Sequence, residues 1–195
     1  PVNGLDLQVQ EGAIVGLVGE SGCGKSLTGM AILGLAREVG ASRVEGEIRF
    51  RGEDILSLDA EDMRRLRRSQ IGFVAQNPMT ALDPLVPIGP QVAEIAACNQ
   101  RLSGRAARRL AIDALGEAGI PEPESLYARY PHELSGGMCQ RVVIAGAIVS
   151  RPALIVADEP TTALDVSTQT HILDFLVARA RRDGMGLLLI THDLT

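Results

Sequence analysis

Gly19-Glu20-Ser21-Gly22-Cys23-Gly24-Lys25-Ser26 fits the pattern G-x-x-x-x-G-K-[ST] at every fixed position. Glycines let consecutive backbone N–H groups turn inward around a phosphate, and a helix starting at Lys25 presents its positive end to the same anion. Lys25 can reach the outer phosphates of a nucleotide, and Ser26 can offer its hydroxyl to a magnesium ion bridging them. Cys23, in the same loop, is a thiol placed to react and to obstruct phosphate once modified. The other chemistry-bearing residues end apolar runs: Gln76 after Ile71–Ala75, the pair Asp158-Glu159 after Ala153–Ala157, and His192 after Gly186–Ile190. Asp158 suits a metal contact and Glu159 the orientation of an attacking water. Gln76 suits either metal or water, and His192 a hydrogen bond to a terminal phosphate. Ligands of open α/β sheets bind at the carboxyl ends of the strands, where all of these fall.

The elements that must position them follow from periodicity. Ala13–Val18 is apolar throughout and predicts a buried parallel strand; Lys25–Leu35 predicts the helix after the loop. Alternation at Leu5, Leu7 and Val9, and again from Val44 to Phe50 before the turn Arg51-Gly52, predicts strands of an antiparallel edge sheet. Asp59 caps a predicted helix to Arg68 with Met63 and Leu66 inward; Arg64, Arg65, Arg67 and Arg68 form a solvated face or a docking surface. Loop character is expected through Asp83-Pro84, Pro87 and Pro90. Helices follow over Gln91–Cys98, Gly104–Glu117 and Glu122–Arg129, a helical insertion able to move against the sheet. Met138–Val149 reads as a buried apolar helix and Val166–Arg182 as an amphipathic one.

Composition sets bounds. At 195 residues, 46% hydrophobic and 22% charged, the chain is globular, and no apolar run reaches the length of a membrane span. A formal net charge of -5 and 3% aromatics point away from nucleic acid and from anionic membrane surfaces. Cys23, Cys98 and Cys139, with no C-x-x-C spacing, fit a reducing compartment such as the cytosol.

Together these motifs resemble the nucleotide-binding domain of ATP-binding cassette (ABC) transporters, over essentially the whole chain. Leu134-Ser135-Gly136-Gly137 looks like the family's signature loop, Gly19–Ser26 with Leu27 like Walker A, Gln76 like the Q-loop, Leu154–Glu159 like Walker B with its catalytic glutamate, Ala163-Leu164-Asp165 like the D-loop, and His192 like the switch histidine. The resemblance implies an α/β P-loop NTPase core with a mostly parallel sheet, an antiparallel β edge subdomain and an inserted helical subdomain. It implies a single domain over 1–195, with 1–75 and 131–195 as the RecA-like core with its β edge and 76–130 as the Q-loop and helical subdomain, running on into the signature loop. It further implies ATP and Mg2+, with Ser26, Gln76 and Asp158 at the metal and Glu159, His192 and Gln76 in catalysis. Nucleotide would be held by Gly19–Leu27 and, across a head-to-tail dimer, by Ser135, Gly136, Gly137 and Asp165 of a second cassette.

Gln76–Pro84 and Tyr130–Met138 resemble the peptide and nickel importer ATPases, and Tyr130-Pro131-His132-Glu133-Leu134 leans toward oligopeptide or dipeptide uptake. Permease subunits, and indirectly a solute-binding protein, are the implied partners, at the cytoplasmic face of the membrane and without nucleic acid. A nickel importer of the same subgroup, a soluble ABC protein acting on ribosomes or DNA, and a nucleotide-binding module without turnover are the alternatives. The family's adenine-stacking aromatic lies upstream of the first strand, and here Phe50 is the earliest aromatic, so the chain is expected to be part of a longer subunit.

Overall fold

A computed structural model describes residues 2–100, 102–162 and 166–192, with the backbone alone at 99, 100, 166 and 167. In chain order the elements are β1 (Ile14–Val18), α1 (Lys25–Ile32), β2 (Arg49–Phe50), β3 (Glu53–Asp54), α2 (Ala60–Ser69), β4 (Ile71–Val74), α3 (Pro78–Ala81), α4 (Ile88–Gln100), α5 (Gly104–Glu117), α6 (Pro123–Leu126), α7 (Gly136–Ile148), β5 (Leu154–Asp158), α8 (Val166–Asp183) and β6 (Gly186–Thr191).

The four longer strands form one parallel sheet in the order β1-β6-β5-β4. Period-two alternation splits its side chains between two layers. Val156, Leu188 and Ile190 meet Leu33, Met30 and Leu66 on the face covered by α1 and α2; Ile155, Ala157 and Leu187 join α7, α8, α4 and α5 on the other. That second cluster is continuous, running from Ile88, Val92 and Leu115 in the helical segment through Ile144 and Ile148 of α7 to the sheet. At their carboxyl ends α5 and α8 are tied by Glu117, which accepts from Arg179 at 2.5 Å and pairs with Arg182 at 3.2 Å. The mostly parallel core, small antiparallel ribbon and inserted helices agree with the expected fold class.

Several local expectations are corrected. Residues 5–9 form no strand; Leu5 is 44% exposed, and only Val9 packs onto the core. Half-exposed alternation becomes a strand only where a ladder partner meets it, and 5–9 pairs with none among the described residues. The edge sheet is likewise reduced to β2 and β3 around Arg51-Gly52, whose φ of 50° and 89° fit a type I′ hairpin turn. β1 is half-exposed rather than buried because it forms an edge of the sheet. Pro90 falls inside the first turn of α4, where its missing N–H costs no hydrogen bond, so that helix begins earlier than its prolines suggest. The third inserted helix shrinks to α6.

Asp59 caps α2 by accepting from the N–H groups of Glu61 and Asp62, as the sequence predicts. The arginines of that helix are largely used locally: Arg64 pairs with Glu61, Arg65 with Asp62, and Arg67 donates to the Leu33 carbonyl. Gly72 of β4 marks a close approach of α7, since a Cβ there would lie 2.5 Å from the Ala147 carbonyl oxygen. We expect Gly72→Ala to lower stability by about 2 kcal/mol, the cost of overpacking against backbone that cannot rotate away. A shifted urea midpoint with unchanged slope would measure it.

Candidate nucleotide site at the carboxyl edge of the sheet

The phosphate-loop residues lie between β1 and α1. Gly22 and Gly24 take φ of 82° and 100°, conformations open to glycine, and Gly24 begins α1 without a side-chain cap. The first turn of α1, Lys25, Ser26 and Leu27, therefore keeps N–H groups with no capping side chain. Lys25 is 7% exposed, and its ammonium donates to the carbonyls of Gly19 (2.7 Å) and Glu20 (2.8 Å), with the Cys23 sulfur 3.9 Å away. The loop thus folds around its own lysine, holding the charge where a phosphate cradled by Gly19, Glu20, Ser21, Gly22, Cys23 and Gly24 would meet it.

Ser26 and Asp158 are brought together from opposite ends of the chain, Ser26 Oγ donating to Asp158 Oδ1 at 3.0 Å. Asp158 follows Val156 by one pleat and so faces α1, at 5% exposure. Burial pushes its carboxyl above the usual range, partly countered by the Ser26 hydroxyl and nearby Lys25 and reinforced by Glu159. A buried carboxylate beside a hydroxyl is a hard-oxygen pair that a divalent cation would stabilise in its charged form, so these residues fit magnesium.

Glu159 leaves the strand pattern. Its φ is 44°, unusual for a residue with a Cβ, while its N–H still bonds the Ile190 carbonyl at 2.9 Å. Such backbone strain concentrates where a side chain must be aimed. Oε2 accepts from Gln76 Nε2 (2.7 Å) and Thr162 Oγ1 (2.9 Å), and Oε1 lies 2.8 Å from His192 Nδ1. Burial raises the Glu159 pKa, but the His192, Thr162 and Gln76 hydrogen bonds outweigh it and hold the carboxyl below its ordinary range.

Four expected residues, Lys25, Gln76, Asp158 and His192, thus lie at one edge of the sheet, with Gln76 and His192 both closed onto Glu159 rather than standing apart. Thr162 was not foreseen from the sequence, although a hydroxyl three residues after Glu159, in the turn closed by Thr162 N–H to the Glu159 carbonyl (3.1 Å), was the available signal. Ser135 caps α7 through its Oγ, accepting from Met138 N–H at 3.3 Å. Gly136 and Gly137 open that helix. No hydrogen bond among the described residues joins 135–137 to the phosphate loop. Asp165, with Ala163 and Leu164, lies outside the described residues.

A strand, phosphate loop and helix, a serine facing a buried strand-end aspartate, and a glycine-opened helix after Leu134-Ser135 together define an ATP-binding-cassette domain. The model of the ABC transporter family matches residues 2–162, and the chain belongs to that family. It is 47% identical over 194 residues to the oligopeptide transport ATP-binding protein OppD of Mycobacterium tuberculosis, covering 99% of this chain and 31% of that protein. To the dipeptide transport ATP-binding protein DppD of Escherichia coli it is 43% identical over 193 residues, covering 99% and 59%. The chain thus spans between about a third and three fifths of these relatives. Among solved structures, the ATP-binding cassette MJ0796 in a dimeric post-hydrolysis state bound to ADP and Pi aligns with a TM-score of 0.82 at 33% identity, over 96% of this chain and 78% of that one.

Proposed function

We propose that this chain is the ATP-hydrolysing cassette of a peptide importer, working as one half of a head-to-tail pair beneath permease subunits. The observation that carries this reading is the grouping at one sheet edge of Lys25, the Ser26 and Asp158 pair, and a Glu159 carboxylate gripped by Gln76, Thr162 and His192. The peptide-transport names of the relatives support the cargo class.

In the mechanism we infer, Lys25 exchanges its two loop carbonyls for the β- and γ-phosphate oxygens of ATP. Ser26 Oγ and Asp158 Oδ1 would hold magnesium, which supplies charge neutralisation across those phosphates. Glu159 takes a hydrogen bond from the attacking water and draws off its proton as the oxygen reaches the γ-phosphorus. The bond to the β,γ-bridging oxygen breaks, and its electron pair stays with ADP. His192, engaged with Glu159 through Nδ1, has its other ring nitrogen available for the γ-phosphate. Ser135, Gly136 and Gly137, with Asp165, would close the site of the partner cassette, and residues 76–130 would carry its closure to the permease.

Turnover of ATP by the protein carrying this chain should require magnesium and rise faster than linearly with protein concentration. Turnover strictly linear in concentration would count against a paired site.

A further inference from the structure

Gln140 stands out in α7, between the signature loop and the long apolar part of that helix. It is 2% exposed, in a helical run whose other members, Cys139, Val142, Val143 and Ile144, are likewise buried. Its Nε2 donates to the carbonyl of Ala75 at 3.3 Å, and Ala75 is the residue directly before Gln76. Its Oε1 is buried with no partner among the described residues. A buried amide with half its capacity unused is a poor packing choice compared with an apolar side chain of the same shape. Arg141, the next residue, donates to the Ala118 carbonyl at the end of α5 (3.0 Å), and its guanidinium lies against Gly119, where a Cβ would make it shift. Two successive side chains therefore fasten the helix opened by Ser135 to two different places, and the Gln140 tether ends at the segment that aims Gln76 at Glu159.

We propose that Gln140 is a positioning residue that couples Gln76 to the signature loop, so that release of Gln76 from Glu159 and displacement of Ser135–Gly137 occur together. The Ala75 peptide moves with Gln76, Nε2 passes that movement to the first turns of α7, and Ser135 rides on that helix as its cap. The idle Oε1 lets the amide follow the carbonyl without breaking a second bond. The catalytic part of this inference rests on the function proposed above; the tether itself does not.

The test is hydrogen exchange and ATP turnover on the protein carrying this chain, wild type beside Gln140→Met, which keeps length and burial but cannot donate, and Gln140→Glu, which sets a carboxylate against the carbonyl. Without nucleotide, the amides of Met79 and Thr80, which donate to Asn77 just after the tethered peptide, should exchange about tenfold faster in both variants, the scale of one lost hydrogen bond, while 143–147 stay protected. With ATP and magnesium, protection of Met79 and Thr80 and of 136–139 should arise together in the wild type and separately in the variants, with kcat down about tenfold and KM for ATP unchanged. Unaltered exchange at Met79 and Thr80 would overturn the proposal. So would loss of protection through 143–147 in both variants, which would make Gln140 a packing residue. A wild type that does not hydrolyse ATP would defeat the proposed function, while the nucleotide-free comparison would still decide this one.

Discussion

Glu159→Gln should abolish steady-state ATP turnover, lowering kcat by about 10²-fold or more while leaving nucleotide binding intact. The substitution preserves size and the capacity to accept from Gln76, Thr162 or His192 at one oxygen. What disappears is the negative charge and with it the base that can take a proton from water. Because the surrounding donors hold the Glu159 pKa below the ordinary carboxyl range, the base form is complete at neutral pH, and protonation of Glu159 should not limit wild-type turnover until the pH drops below that range. The same sign holds for stability: a depressed folded-state pKa contributes stability above the unfolded value, lost as pH falls through the folded one. Single-turnover chemistry compared with equilibrium nucleotide binding separates the two effects. A variant that turns over like the wild type would remove Glu159 from the proposed mechanism.

Lys25→Ala should weaken ATP binding by about 10²-fold or more, the scale expected when one partner of a desolvated charge pair is truncated. Lys25 is nearly buried and its donors are already aimed at the loop interior, so little ordering remains to be done when phosphate replaces the carbonyls of Gly19 and Glu20. Its removal also frees those carbonyls, so the nucleotide-free loop should loosen. Titration with a fluorescent ATP analogue measures the first effect. Equal affinity in the two proteins would mean that the lysine serves only to shape the loop.

Several residues of the candidate site, Lys25, Gln76, Asp158, Glu159 and His192, were legible in the sequence because they sit at breaks in apolar or glycine-rich runs. A strand that stops on Asp158-Glu159, or a glycine-rich turn that stops on Lys25-Ser26, advertises itself without any knowledge of its neighbours. What could not be read was which of these residues face one another. Gln76 and Glu159 meet at 2.7 Å although they are 83 positions apart, and only the β4 and β5 pairing fixes that meeting. Gln140 was hidden for a different reason: within an apolar helix a single amide has no periodicity of its own, and its partner is a backbone carbonyl that carries no residue identity. The strands expected at 5–9 and 44–50 mark the opposite failure, where alternation is present but the pairing that would make it count is absent at 5–9 and limited to Arg49 and Phe50 in the second stretch.

The parallel ladder has a consequence for how the chain tolerates change. Neighbouring strands are held about 4.8 Å apart by backbone hydrogen bonds that no side chain can lengthen. The register sets Val74 beside Ala157 and Asp158 beside Ile190, so Gln76, Glu159 and His192 are marks on a ruler whose graduations belong to the backbone. Residues between the marks can be exchanged for others of similar bulk without moving them. Inserting or deleting one residue anywhere between a ladder and its mark shifts that mark by a graduation. Drift in this domain should therefore run through substitution, with length changes confined to connections that do not separate a strand from the residue it delivers.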